Sequence, residues 1–163
     1  MHPNPDMQKV PLFCLMEADF FSLYPSIIAA HNLSPETVAT AQNDTSFEVD
    51  LNAKLEGKDE VVVFVDNREE GVLPKLVKPL LKMRLEDTNP ESKETVKMIL
   101  VHLYGIMGSR HSPFYSLATA RAITALGRIA CHSAVNAIKS YFDEFGVVVV
   151  CANTDSVTFT AEP

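Results

Sequence analysis

The run Asp19-Phe20-Phe21-Ser22-Leu23-Tyr24-Pro25-Ser26-Ile27-Ile28 constrains this chain more than any other stretch. It follows the apolar segment Pro11-Leu12-Phe13-Cys14-Leu15-Met16, which is as short and continuous as a buried strand. Residues 11–18 are therefore expected to form the first strand, with Asp19 where it gives way to a tighter loop. Pro25 suits the first turn of a helix, where its missing N–H is not needed, and Ser26-Ile27-Ile28-Ala29-Ala30 continue that helix. A carboxylate at such a strand end can hold a metal beside a backbone turn. It can equally be a loop residue or a helix cap, and this stretch alone does not separate the two.

The remaining pattern is uneven. Residues 1–10 are polar and proline-containing, as a loose arm would be, and residues 31–36 combine a helix stop with a turn. Residues 39–60 carry little beyond turn signals at Asn43-Asp44 and Gly57-Lys58-Asp59. Residues 60–65 are short and β-branched, which reads as a strand. Apolar side chains at 73, 76, 77, 80, 81 and 83 mark a helix over residues 73–84, with Pro74 near its start and Pro79 expected to kink or break it. After a turn at Asp87-Thr88-Asn89-Pro90, a second helix is expected over residues 92–102, so the two form a helical hairpin. Residues 105–115 read as a loop, and residues 118–142 as a long helix buried along Ile123, Leu126, Ile129, Ala130, Val135 and Ile138. Two β-rich runs, residues 146–151 and 157–160, flank the polar turn Ala152-Asn153-Thr154-Asp155-Ser156 and predict a β-hairpin. This order predicts an α+β fold, with helices packed on one face of an antiparallel sheet.

Composition narrows the function classes. At 163 residues, with 47% hydrophobic and 21% charged residues, the chain has the make-up of one globular domain rather than a disordered segment. No apolar run is long enough to span a bilayer, and the first residues lack the basic and apolar regions of a signal peptide. Cys14, Cys131 and Cys151 lie in apolar segments without metal-ligand spacing and read as reduced core residues of an intracellular protein. The five histidines show no zinc-ligand spacing either. A formal charge of −7 argues against a generally basic, nucleic-acid-coating surface. A local site in which divalent cations offset acidic groups stays compatible with it.

A second carboxylate gives Asp19 a possible partner. Asp155 lies in the predicted hairpin turn, 136 residues beyond Asp19. Two carboxylates at strand ends can share one sheet edge and hold magnesium, which typically takes one or two protein carboxylates together with substrate phosphates. Spacing alone does not establish that they meet.

The run from Asp19 to Ile28 resembles motif A of family B DNA polymerases, D-x-x-S-L-Y-P-S-I-I. Cys151-Ala152-Asn153-Thr154-Asp155-Ser156 is similar to motif C, Y-G-D-T-D-S, and departs from it at the first three positions. Residues 97–105 resemble motif B, K-x-x-x-N-S-x-Y-G, keeping Lys97, Tyr104 and Gly105. Leu73-Pro74 through Arg84 resembles the L-P-x-x-L-x-x-L-L-x-x-R entry to the fingers. Thr124-Ala125-Leu126-Gly127-Arg128 is similar to a T-x-x-G-R segment. The five segments occur in family order.

The resemblance implies an antiparallel palm sheet with a short helical-hairpin fingers insertion. Residues 1–72 would be the first part of the palm, 73–104 the shortened fingers and 105–163 the second part of the palm. Asp19 and Asp155 would be catalytic, ligating two Mg2+ ions, with Asn153 and Thr154 beside them. The backbone from Phe20 through Phe21 and Ser22 to Leu23 would receive the triphosphate of a dNTP. Tyr24 would lie against the sugar, leaving no room for a 2′-hydroxyl. Arg84 and Lys97 would clamp the phosphates, and Tyr104 would back the nascent base pair. Taken singly, Arg84 and Lys97 read as solvated helix charges and Tyr104 as a core aromatic. Basic residues at both matched positions favour the clamp.

Four departures qualify the implied activity. Asn153 stands where the family has the first Asp of D-T-D, Val101 and His102 replace the Asn-Ser of motif B, and only 13 positions separate Arg84 from Lys97. No segment resembles the thumb or the exonuclease domain, so primer-template DNA would need a second chain or further segments to grip it. The implied setting is intracellular: cytoplasm or nucleus of a host, or a viral or phage replication site. The alternative is a catalytically degenerate, polymerase-like scaffold or nucleic-acid-binding module.

Overall fold

A computed structural model describes residues 15–57, 59–142 and 146–160. Along these residues run β1 (Leu15–Asp19), α1 (Leu23–Ala30), β2 (Val38–Ala39), β3 (Ser46–Asp50), β4 (Val62–Asp66), α2 (Val72–Glu86), α3 (Pro90–Gly108), α4 (Leu117–Tyr141), β5 (Val148–Ala152) and β6 (Ser156–Thr160). The fold class is α+β, as expected, but the strands form two antiparallel sheets rather than one. The chain divides into two compact units: one holds the residues up to Phe21 and from Gly127 onward, the other Ser22–Leu126.

The first unit is built on the sheet β1-β6-β5. β6 lies between its partners, pairing Leu15↔Thr160 through Asp19↔Ser156 on one side and Val148↔Thr160 through Ala152↔Val157 on the other. Alternate residues Val157 and Phe159 are buried while Ser156 and Thr158 are only half-buried, which is the period of two that a strand dictates. The ring of Phe142 packs beside Phe159, with centroids 5.9 Å apart. A bulge between Val149 and Cys151 gives β5 one extra residue ahead of the hairpin turn. Residues 11–14 of the expected first strand lie outside the described residues, and its visible part ends on Asp19.

The second unit carries the sheet β2-β4-β3. β2 and β3 arise from the stretch that showed little pattern, and this is where the single-sheet expectation fails. β2 has only two residues, and in β3 Val49 is the one buried side chain. Strands this short and this exposed leave almost no apolar alternation to read; pairing with β4 defines them.

Helices α1, α2 and α3 bury Leu23, Ile27, Ile28, Leu73, Val77, Val96, Leu100 and Met107. Helices α2 and α3 are both less interrupted than expected. α2 continues through Pro79 without a break. Pro79 and Lys75, whose carbonyl loses its helical donor to the proline, are both exposed, so water can satisfy that carbonyl. α3 runs on past His102 to Gly108, taking in the first residues of the expected 105–115 loop, while residues 109–115 are irregular as expected. Gly105 costs a helix about 1 kcal/mol relative to alanine. The fully buried Met107 beyond it contributes roughly 1.5–3 kcal/mol, and burial wins. At its other end α3 is capped by the Asn89 side chain, which accepts from the Glu91 N–H at 2.9 Å.

Three side chains from the α1–β2 connection hold the start of α2. Asn32 Oδ1 accepts from the Gly71 N–H at 2.8 Å, while its amide donates to the carbonyls of Asp66 at 2.9 Å and Glu69 at 2.8 Å. Glu36 accepts from the Val72 N–H at 2.6 Å and Ser34 Oγ from the Leu73 N–H at 3.2 Å. Burial alone would raise the Glu36 pKa, but the bonds from Ser34 and Val72 and the charge of Lys75 hold it below the ordinary carboxylate value. The orphan N–H groups of the first turn are thus satisfied from 36 to 39 residues away in the chain.

Candidate functional site

Within the first unit, strand pairing brings Asp19 and Asp155 to the same end of one sheet. Asp19 is the last residue of β1 and stands opposite Ser156, the first of β6. One step further, the Phe20 N–H donates to the carbonyl of Asp155 at 2.8 Å. The hairpin turn is closed by the Asn153 N–H, which donates to the Ser156 carbonyl at 2.8 Å. Asp19, Asn153, Thr154 and Asp155 are exposed, so both carboxylates face solvent without burial of charge. Among the described residues no group of three or more His, Cys, Asp or Glu side chains gathers as a metal site. Asp19 and Asp155 instead offer a pair of oxygen donors, a set that suits a hard divalent cation completing its shell with water and phosphate.

Cys131, on α4, reaches the same turn. Its thiol lies 3.1 Å from the Thr154 carbonyl and 3.7 Å from that of Asn153. Burial, and after it the charge of Asp155, pushes the Cys131 pKa up, so the thiol keeps its proton at neutral pH and can donate it.

Ser22, Leu23, Tyr24, Arg84, Lys97 and Tyr104 fall in the second unit. Ser22 takes left-handed backbone angles, φ 48 and ψ 52, immediately before α1, an uncommon conformation for a residue with a side chain. Its hydroxyl does not cap α1; it accepts a hydrogen bond from Arg84 Nη1, in the last turns of α2. Tyr24 and Tyr104 meet with ring centroids 4.7 Å apart and planes tilted by 44°. Leu23 is buried in the core, which leaves only its backbone for a ligand. Lys97 is exposed on α3 and faces Glu94 at 3.4 Å, an i,i+3 pair that solvent screens. Phe20, half-buried, and Phe21, exposed, belong with Asp19 in the first unit.

The residues singled out from the sequence thus fall in two groups, Asp19 with Asp155, and Ser22 and Tyr24 with Arg84 and Tyr104, whose contacts the sequence does not show. Two features were missed. The Ser22–Arg84 contact spans 62 positions and leaves no local signal. Cys131 looked like any apolar-segment cysteine, and only the packing of α4 against the turn distinguishes it.

Comparison with known proteins gives the fold a counterpart and the chain a family. The fold is similar to a solved family B DNA polymerase from the hyperthermophilic archaeon Pyrobaculum calidifontis, with a TM-score of 0.64 at 21% identity, covering 91% of this chain and 20% of that one. The sequence profile described as DNA polymerase family B matches residues 1–161, and the chain belongs to that family. DNA polymerase 1 of Saccharolobus solfataricus is 30% identical over 167 residues, which covers 93% of this chain and 18% of that protein. The DNA polymerase delta catalytic subunit of Candida albicans is 26% identical over 176 residues, covering 96% and 17%. The chain thus spans less than a fifth of the length of these relatives. Among the described residues, no helix is long and apolar enough to cross a membrane.

Proposed function

We propose that this chain carries the nucleotidyl-transfer centre of a DNA-directed DNA polymerase, joining a dNTP to the 3′-hydroxyl of a primer in an intracellular replication setting. The observation that carries the reading is the pairing of β1 with the β6 hairpin. It puts the carboxylate-bearing residues Asp19 and Asp155 at one sheet end, tied by the Phe20–Asp155 backbone bond of 2.8 Å. Residues 1–72 and 105–163 are assigned to the palm and residues 73–104 to the fingers.

Asp19 and Asp155 are assigned as the ligands of two Mg2+ ions, which two exposed carboxylates fit by charge and donor type. When bound, such ions activate the attacking 3′-oxygen and offset charge on the triphosphate and leaving group. The chain's own residues do the positioning. The backbone from Phe20 to Leu23 receives the triphosphate, and Arg84 and Lys97 bind its phosphates as a planar fork and a point charge. Arg84 would exchange the Ser22 hydroxyl for a phosphate oxygen, and Lys97 its solvent-screened Glu94. The ring of Tyr24 excludes a 2′-hydroxyl, and Tyr104, whose ring packs against Tyr24, backs the base pair. Primer-template DNA is gripped mainly by thumb-like segments, from this protein or a partner chain.

The test is Mg2+-dependent binding of a deoxynucleoside triphosphate to the wild type, Asp19→Ala and Asp155→Ala. Each substitution is expected to weaken the Mg2+-dependent affinity by roughly tenfold or more. Binding indifferent to both changes would sink the catalytic reading and favour a polymerase-derived scaffold, which Asn153 and Val101 would then suit.

A further inference from the structure

We propose that Cys131 is a positioning residue for Asp155, holding the hairpin turn through its thiol; this rests on the reading of Asp155 as a metal ligand. The turn between β5 and β6 presents three successive carbonyls, and each has a donor. Those of Asn153 and Thr154 lie 3.7 and 3.1 Å from the Cys131 sulfur, within reach of one shared proton. That of Asp155 accepts the Phe20 N–H at 2.8 Å. The turn is therefore pinned from two sides, by α4 through Cys131 and by the end of β1 through Phe20.

The contrast in exposure explains why this matters. Asn153, Thr154 and Asp155 are exposed, whereas Cys131 is buried. A solvated three-residue turn without a fixed point would exchange among conformers and carry its carboxylate with it. A cation bound by only two protein carboxylates gains from having them already in place, because the cost of ordering them is then met by the fold. Neither the spacing of the cysteines nor the resemblance assigns Cys131 any role.

The experiment uses Mn2+ as the probe, with free ion followed by electron paramagnetic resonance against the whole chain. Outer residues that fix metal ligands are typically worth ten- to a hundredfold in affinity, and a weak S–H donor acting through the backbone belongs at the low end. Cys131→Ala is thus expected to weaken Mn2+ binding roughly tenfold. Cys131→Ser, which restores a donor, recovers most of that loss. Cys131→Val keeps apolar bulk without a donor and behaves like the alanine variant, which keeps the test decisive if alanine does not fold. A merely structural role would lower the melting temperature while leaving Mn2+ affinity unchanged. Asp155-dependent Mn2+ binding that is the same in wild type and Cys131→Val overturns the proposal alone. Mn2+ binding indifferent to Asp155→Ala overturns the metal reading and the proposal with it.

Discussion

Asn153 lies two residues before Asp155 on the exposed hairpin turn and brings no charge to it. An aspartate there would add one negative charge within several ångströms of a bound cation. At the high effective dielectric of an exposed turn that is worth on the order of 1 kcal/mol. Asn153→Asp is therefore expected to tighten Mn2+ binding roughly fivefold, read by the same titration. An unchanged affinity would mean that position 153 lies outside the field of the metal. The residue scale is also where the sequence spoke most clearly. Asp19, Tyr24 and Asp155 were legible as candidates because each lies within a short, specific motif. The left-handed backbone of Ser22 and its acceptance of the Arg84 guanidinium were not. They depend on where α2 comes to lie, which no local pattern encodes.

At the scale of elements, α2 illustrates how helix placement is decided from outside the helix. Its apolar periodicity was legible, yet its first turn is satisfied by Asn32, Ser34 and Glu36. Gly71 allows that approach: a Cβ built there would come 2.7 Å from the Ser34 Cβ and 3.0 Å from Thr37 Cγ2. Gly71→Ala is expected to destabilise the protein by about 1–3 kcal/mol, the usual cost of overpacking, because a neighbouring backbone must shift. Denaturant unfolding would measure it, and a midpoint equal to wild type would show that the connection yields freely. The two helix corrections differ in origin. Pro79 is tolerated because the carbonyl it deprives lies on an exposed face, whereas at Gly105 a propensity cost of about 1 kcal/mol is overridden by the burial of Met107 beyond it. Residues 105–108 of the expected 105–115 loop join α3 for that reason, whereas residues 109–115 are irregular as expected and the β5–β6 hairpin held because turn chemistry and strand pattern agree.

At the scale of the whole molecule, the formal charge of −7 opposes tight binding to DNA. Affinity for a duplex comes largely from phosphate neutralisation and falls steeply with salt. This chain alone is expected to bind primer-template DNA weakly, with binding lost between about 50 and 200 mM salt. Fluorescence anisotropy across that range checks it, and tight, salt-insensitive binding would point to a DNA surface that the charge balance does not reveal. The family and the α+β class were within reach of the sequence, because five ordered motifs and strong periodicity in α2, α4 and the β5–β6 hairpin survive without any tertiary context. Lost to it were the second sheet, the capping of α2 and the thiol behind the Asp155 turn. The sequence by itself determined which side chains carry charge and which segments bury an apolar face, since both are properties of short stretches. Only the tertiary structure decided that β1 pairs with β6, so that Asp19 and Asp155 share a sheet end, and that Cys131 faces their turn. Strand pairing and helix docking are contacts between distant residues, and their free energy is absent from any single stretch of chain.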